Sequence, residues 1–161
     1  MTVEEYNRCV EDHADGLYRF ILKNIRDPEK AEDVVQDSFE KLWRKLREVR
    51  YAKSKSYLFS TAYHTMIDSI RKEGRIEDFS RQKAEAFSQD RQYSDLKEIL
   101  HQALERLTQI QRTLILLRDY EGYSYAEIGE ITGLSESQVK VYIYRGRVFM
   151  KQYLGSLQAV I

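Results

Sequence analysis

The sequence predicts an all-α protein made of two small helical domains, residues 1–74 and 96–161, joined by a flexible linker over 75–95. Three observations predict it. Apolar residues recur at three- and four-residue steps through most of the chain, and no stretch alternates as a half-buried strand would. Capping boxes of the form Ser/Thr-x-x-Glu/Gln stand at Thr108 with Gln111, Ser124 with Glu127, and Ser135 with Gln138. In each, the hydroxyl accepts from an orphan N–H at a helix start while the Glu or Gln reaches back. Finally, 161 residues hold one proline and seven glycines and are 32% charged, a profile that favours helices over tight β-turns.

The first helix is predicted over about 3–25, with Tyr6, Val10, Leu17, Ile21 and Ile25 on its apolar side. Asp27-Pro28 restarts the chain, Asp as N-cap and Pro at the first helical position, where its missing N–H costs nothing. Ala31, Val35, Phe39, Leu42, Trp43 and Leu46 then give one broad stripe to about residue 49, with Trp43 expected in the core. A basic, Ser-containing loop over 50–55 leads to a third helix, about 56–72, carrying Leu58, Phe59, Ala62, Met66, Ile67 and Ile70. From 73 to about 93 the pattern fades into polar sequence, a tether in which only transient helix is expected. Periodicity returns with Leu96, Leu100, Leu104 and Leu107, breaks at the Thr108 cap, and resumes through Leu114 and Leu117 to Gly122. Beyond it, Ile128, Ile131, Leu134, Val139 and Ile143 face one small core in a helix-turn-helix. Gly129 is expected to let two short helices pack closely, and Gly133 to supply the left-handed residue of the turn.

Composition excludes several classes. Cys9 is alone, so neither a disulfide framework nor a cysteine metal cluster is expected, and a cytoplasmic location is favoured. No apolar run approaches the ~18 residues of a membrane span, and the N-terminal residues lack the pattern of a secretory signal. His13, His64 and His101 lie far apart, and none shares the i, i+4 spacing of a helical metal site. Without a glycine-rich phosphate loop or a nucleophile elbow, no enzyme, cofactor or metal is expected. The 26 basic residues balance the 26 acidic ones, which argues against a nonspecific nucleic-acid coat.

Three helix faces are left to explain. The helix from Ser135 carries Lys140, Arg145, Arg147 and Lys151 against Glu136 alone, with Tyr142 and Tyr144 between them. Val139, Ile143 and Gly146 fall on its packed side, leaving Ser137, Gln138, Lys140, Val141, Tyr144 and Arg145 outward or flanking. Such a face fits a DNA major groove, the bland alternative being a solvated charged surface. On the second helix, Asp33, Gln36, Asp37 and Glu40 share a face that suits a basic helical partner, or is simply solvated. The third helix mixes Tyr57, Phe59 and Tyr63 with His64, Asp68, Arg71 and Lys72. Rings stack on unpaired bases while cations hold phosphates; a packed helix with a basic end is the alternative.

In this order, the segments resemble the extracytoplasmic-function (ECF) sigma factors, the small initiation subunits of bacterial RNA polymerase. The run Ala31-Glu32-Asp33-Val34-Val35-Gln36-Asp37-Ser38-Phe39 with Trp43 is similar to the family's polymerase-docking motif in sigma region two. Tyr57 to Lys72 resembles the part of that region that opens DNA at the −10 element. Gln111-Arg112, Leu114 to Leu117, Glu121 to Ile128, and Val139-Lys140 through Arg145 and Arg147 resemble sigma region four. The family often has Leu-Pro where this chain has Leu107-Thr108, and the Thr108 capping box supplies the helix start instead. His64 stands where many members carry Asn.

The resemblance implies a sigma factor without chemistry or cofactor of its own. Core RNA polymerase would dock on Asp33, Gln36, Asp37 and Glu40. Tyr63, His64, Arg71 and Lys72 would engage the melted −10 strand, and Ser137, Gln138, Lys140, Val141, Tyr144 and Arg145 the −35 duplex. An anti-sigma protein is a further partner the family admits; membrane insertion and an appended C-terminal regulatory domain are not expected. The rival is a stand-alone helix-turn-helix regulator, which would bind a palindromic site as a dimer without polymerase. A helical protein that only sequesters a partner would leave the basic helix unexplained.

Overall fold

The computed structural model describes residues 1–74 and 95–158, and these residues are helical without strands. Helix α1 (Val3–Ile25) starts at a Thr2–Glu5 capping box and ends where Arg26 turns left-handed, its N–H donating to the Leu22 carbonyl. Asp27 caps α2 (Pro28–Arg44) by accepting from the N–H groups of Glu29 and Lys30. A single 3₁₀ turn (Tyr51–Lys53) precedes α3 (Ser54–Gly74). The second half is α4 (Asp95–Arg106), α5 (Gln109–Ile115), a π turn (Leu116–Tyr120), α6 (Tyr125–Thr132) and α7 (Glu136–Gln158).

The first three helices form a bundle around Leu17, Phe20, Ile21, Leu42, Leu58, Phe59 and Met66. Two boundaries differ from expectation. α2 stops at Arg44 rather than near residue 49, because Lys45 leaves the helical region and its N–H is shared between the Lys41 and Leu42 carbonyls. α3 starts at Ser54, inside the predicted loop. The Ser54 hydroxyl is buried, donating to the Tyr51 carbonyl at 2.6 Å and accepting from the Cys9 thiol at 3.0 Å. Trp43 is also not in the core: it is 49% exposed, with its ring 5.0 Å from that of Tyr6. The buried stripe of α2 runs instead through Ala31, Val34, Ser38, Phe39 and Leu42, and Ser38 is admitted because its hydroxyl donates to the Val34 carbonyl.

The second domain is built by its caps. All three expected boxes are closed on both sides, at Thr108, Ser124 and Ser135. Arg112 lies under α4 and donates to the carbonyls of Leu104 and Glu105 in its last turn and of Leu107 just beyond, so one guanidinium serves two of that helix's terminal carbonyls. Leu96 is 64% exposed, against the periodic reading; the packed edge of α4 is Ala103, Leu104 and Leu107. Gly133 is left-handed, as expected at the turn. Gly129 admits a different neighbour from the one expected: a Cβ there would sit 2.9 Å from the Leu134 carbonyl oxygen, so the turn backbone, not a second helix, requires the glycine. Gly146 is where two helices meet, a Cβ falling 2.6 Å from Ile115 Cδ1.

The two domains pack against each other, α6 along α3 and α5 at the end of α1. The tether expected over 75–95 lies outside the described residues apart from Asp95.

Candidate nucleic-acid interface

α7 separates its two sides cleanly. Val139 and Ile143 are buried, and Gly146 beside them closes on α5. On the opposite side Ser137, Gln138, Lys140, Val141, Tyr144 and Arg145 are all exposed, with Tyr144 the most open at 69%. Their spacing, with Val148 continuing it, makes one stripe along three turns. Within the stripe, Gln138 is partly committed: its side chain accepts from the Ser135 N–H at 3.0 Å, fixing where the helix begins. Lys140 stands 3.6 Å from the Glu136 carboxylate and 5.7 Å above the Tyr125 ring, so it is held but reachable. Arg147 belongs to the framework. It pairs with Asp119 of the π turn at 2.5 Å, and that bond raises its pKa. Tyr142 packs half-buried on the core rather than sharing the outer face with Tyr144.

The acidic face of α2 is open. Asp33, Gln36 and Glu40 are exposed and Asp37 is half-buried. Two of its carboxylates are answered within the helix, Asp37 by Lys41 at 2.9 Å and Glu40 by Arg44 at 2.6 Å, both at i, i+4. Lys41 also donates to Thr65 of α3, tying this face to the next helix. Exposed Trp43, three residues beyond Glu40, extends the face with a ring. The sequence places it in the core as part of the apolar stripe of α2; its i+3 relation to Glu40 is the signal that sets it on the outer face.

On α3 the expected residues divide. His64, Asp68, Arg71 and Lys72 are exposed and share one stripe. Tyr63 does not join them. It is 8% exposed, and burial raises the pKa of its phenol. With Ile67, Ile70 and Arg71 it borders a cleft of about 280 Å³ whose far wall is Gln109 and Ile110 of α5. That volume is small for a ligand pocket, and the cleft lies on a junction between domains. His64 touches Tyr63 edge-on, their centroids 5.1 Å apart, so the exposed and covered parts adjoin.

Comparisons with known proteins follow the same division. The sequence model of sigma-70 region 2 matches residues 9–76, and that of sigma-70 region 4 matches residues 97–150. RNA polymerase sigma factor SigV of Bacillus subtilis is 32% identical over 146 residues, covering 89% of this chain and 87% of the relative. ECF RNA polymerase sigma factor SigE of Mycolicibacterium smegmatis is 31% identical over 158 residues, 93% of this chain and 62% of that one. Among solved structures, sigma factor RpoE of Bartonella quintana, crystallised with the anti-sigma factor NepR, is 26% identical with a TM-score of 0.81, covering 95% of this chain and 98% of that one. A lone DNA-binding module would match region 4 and leave α1–α3 unaccounted for; both regions match here, in chain order. The chain therefore belongs to the ECF sigma factors and directs core RNA polymerase to promoters, and it is not a stand-alone regulator.

Proposed function

We propose that this sigma factor divides its work among three helix faces. In this reading residues 1–74 dock polymerase and open the −10 element, 75–95 tether, and 96–161 bind the −35 element. Asp33, Gln36, Asp37 and Glu40 meet a basic helix of core polymerase. Tyr63, His64, Arg71 and Lys72 hold the melted −10 strand. Ser137, Gln138, Lys140, Val141, Tyr144 and Arg145 read the −35 duplex. The chain performs no catalysis and needs no cofactor, and it works in the cytoplasm beside its polymerase. The observation that supports this most is α7 itself: all six −35 positions are exposed on the side opposite a fully packed one. The N-terminal turns of such a helix reach base edges while later basic residues fix register on phosphates.

The test is reconstitution with purified core polymerase. Asp37→Arg reverses a charge that is half open to solvent, so helicity should be kept while core affinity falls by about 2–5 kcal/mol if the contact becomes desolvated. Unchanged affinity would return this face to ordinary solvated surface.

An anti-sigma protein is the further partner we propose. Its support is the likeness of both domains together to RpoE in its complex with NepR. A candidate anti-sigma protein should, at stoichiometric amounts, suppress transcription by the reconstituted holoenzyme; no suppression at saturating binding counts against the assignment.

A further inference from the structure

Tyr125 belongs to none of the three helix faces, yet the cations beside the outer face of α7 gather round it. It is the first residue of α6 and half-buried, and the Ser124–Glu127 capping box beside it fixes its backbone. From the π turn, the Arg118 guanidinium lies 4.5 Å from the ring centroid while donating to the Tyr123 carbonyl at 2.9 Å. From α7, the Lys140 ammonium lies 5.7 Å from the same centroid. Arg147, farther along α7, has its pKa raised first by its bond to Asp119 and further by Tyr125.

These contacts are not equally firm. Arg118 is tied to a backbone carbonyl, and Arg147 to a carboxylate at 2.5 Å. The π turn that carries Arg118 and Asp119 is itself closed by the Glu121 N–H, which donates to the Leu116 carbonyl at 3.0 Å. The ring is therefore held by a fixed surround. Lys140 is held more loosely, by Glu136 at 3.6 Å and by the ring. Glu136 draws the ammonium back toward the start of α7, and Tyr125 draws it across toward α6.

We propose that Tyr125 is a positioning residue for promoter specificity: its ring limits where the Lys140 ammonium can stand over the −35 base pair. The proposal rests on the base-reading assignment of Lys140 made above.

The strength of the contact suits this role. A cation over a half-exposed ring is attracted only modestly, so the ammonium can leave for a base edge in the major groove. Without the ring, a lysine on its flexible stem reaches a phosphate as readily as a base, and a phosphate carries no sequence information. The ring thus confines the lysine without capturing it, and Arg118 holds the ring in place.

The test is selection from randomised −35 sequences by reconstituted holoenzyme, with Tyr125 variants made in both the wild-type and the Lys140→Ala background. Tyr125→Leu removes the ring, and preference at the base pair that depends on Lys140 should fall about two- to fivefold. Tyr125→Phe keeps the ring and should keep the preference. Tyr125→pentafluorophenylalanine retains the shape of Phe with the charge distribution of the ring reversed, so it should lose preference as Leu does. That variant decides the matter if Tyr125→Leu fails to fold. In the Lys140→Ala background none of the three should alter preference further. Weaker binding to all −35 sequences alike, with preference unchanged, would make Tyr125 a phosphate contact or a fold support and overturn the proposal. An equal loss in Tyr125→Phe would assign the effect to the hydroxyl and overturn it too. If Lys140→Ala shifts preference while the fluorinated ring does not, the base-reading assignment stands and the positioning role fails. If Lys140→Ala itself shifts nothing, both fail.

Discussion

α3 and α7 are both assigned to DNA, yet the fold treats them in opposite ways. α7 packs one side on its own domain and gives the whole other side to solvent, so its reading face is complete as soon as the domain folds. α3 is packed by its own bundle and by α6 of the other domain, Tyr63 is buried beside the cleft that Gln109 and Ile110 border, and only the His64–Asp68–Arg71–Lys72 stripe is open. The difference matches the substrates. A duplex groove exists before the protein arrives, and a preformed helix face suits it. A melted strand does not exist until energy has been spent on unstacking, so a face for it need not stand complete beforehand.

The largest effect that would sharpen this contrast comes from separating the two sides of α7. Ile143→Ala removes a side chain that is 1% exposed, and a cost of about 2–5 kcal/mol should lower the melting temperature of the helix-turn-helix and abolish −35-dependent transcription. Tyr144→Ala, one residue away on the open side, should change stability by no more than about 0.5 kcal/mol and still impair the same transcription. Thermal melts of the two variants check this. Equal destabilisation would mean that the outer face is not free.

On α3 the corresponding prediction concerns strand capture. His64→Ala or Arg71→Ala should leave the closed complex intact and slow opening. A template pre-melted over the −10 segment should recover most of the loss, because the few kcal/mol of unstacking is then already supplied. A bubble that gives no rescue would place these residues outside strand capture.

A smaller effect is expected at Lys140. Its replacement by Ala should change base preference at one −35 pair by about 1–3 kcal/mol if the contact is bidentate, and less if Glu136 keeps the ammonium partly engaged. Selection from randomised −35 sequences measures it. Identical preferences for Lys140→Ala and wild type would remove the base-reading role and leave a phosphate contact.

The smallest effect bears on the junction and is read by pH. His101 of α4 has its pKa lowered by burial, then by the nearby cations Arg26, Lys23 and Lys97, two of them from the other domain. A depressed histidine contributes stability that is present above the ordinary histidine range and lost as pH falls through the depressed value. The packing between the two domains should therefore loosen from pH 7.5 toward pH 5.5, and His101→Gln should flatten that response. Glu121 acts in the opposite sense at lower pH, since burial raises its pKa and protonation removes a desolvated charge. Scattering across the range tests it; a pH response unchanged in His101→Gln assigns the effect elsewhere.

Much of this molecule is written locally. The limits of α1, the Asp27-Pro28 restart, the three capping boxes and left-handed Gly133 follow from sequence because each is decided within four or five residues. In such short spans, hydrogen-bond geometry leaves one solution. The outer stripe of α7 was legible for the same reason: helical periodicity places Val139, Ile143 and Gly146 on one side and everything else on the other. Leu96 and Gly129 differ from the sequence reading because the neighbour that decides them is not on their own helix turn, whereas for Trp43 the i+3 relation to Glu40 carries the signal. Tyr63 needed still more. Periodicity puts it beside Ile67 and Ile70, but whether that flank meets solvent or another domain depends on Gln109 and Ile110, more than forty residues away. The sequence by itself determined that the described residues form helices, most of the helix ends and the chemistry of each face, since those are short-range matters of capping and period. Which face is free to act was left to tertiary packing, because burial is a property of what stands opposite.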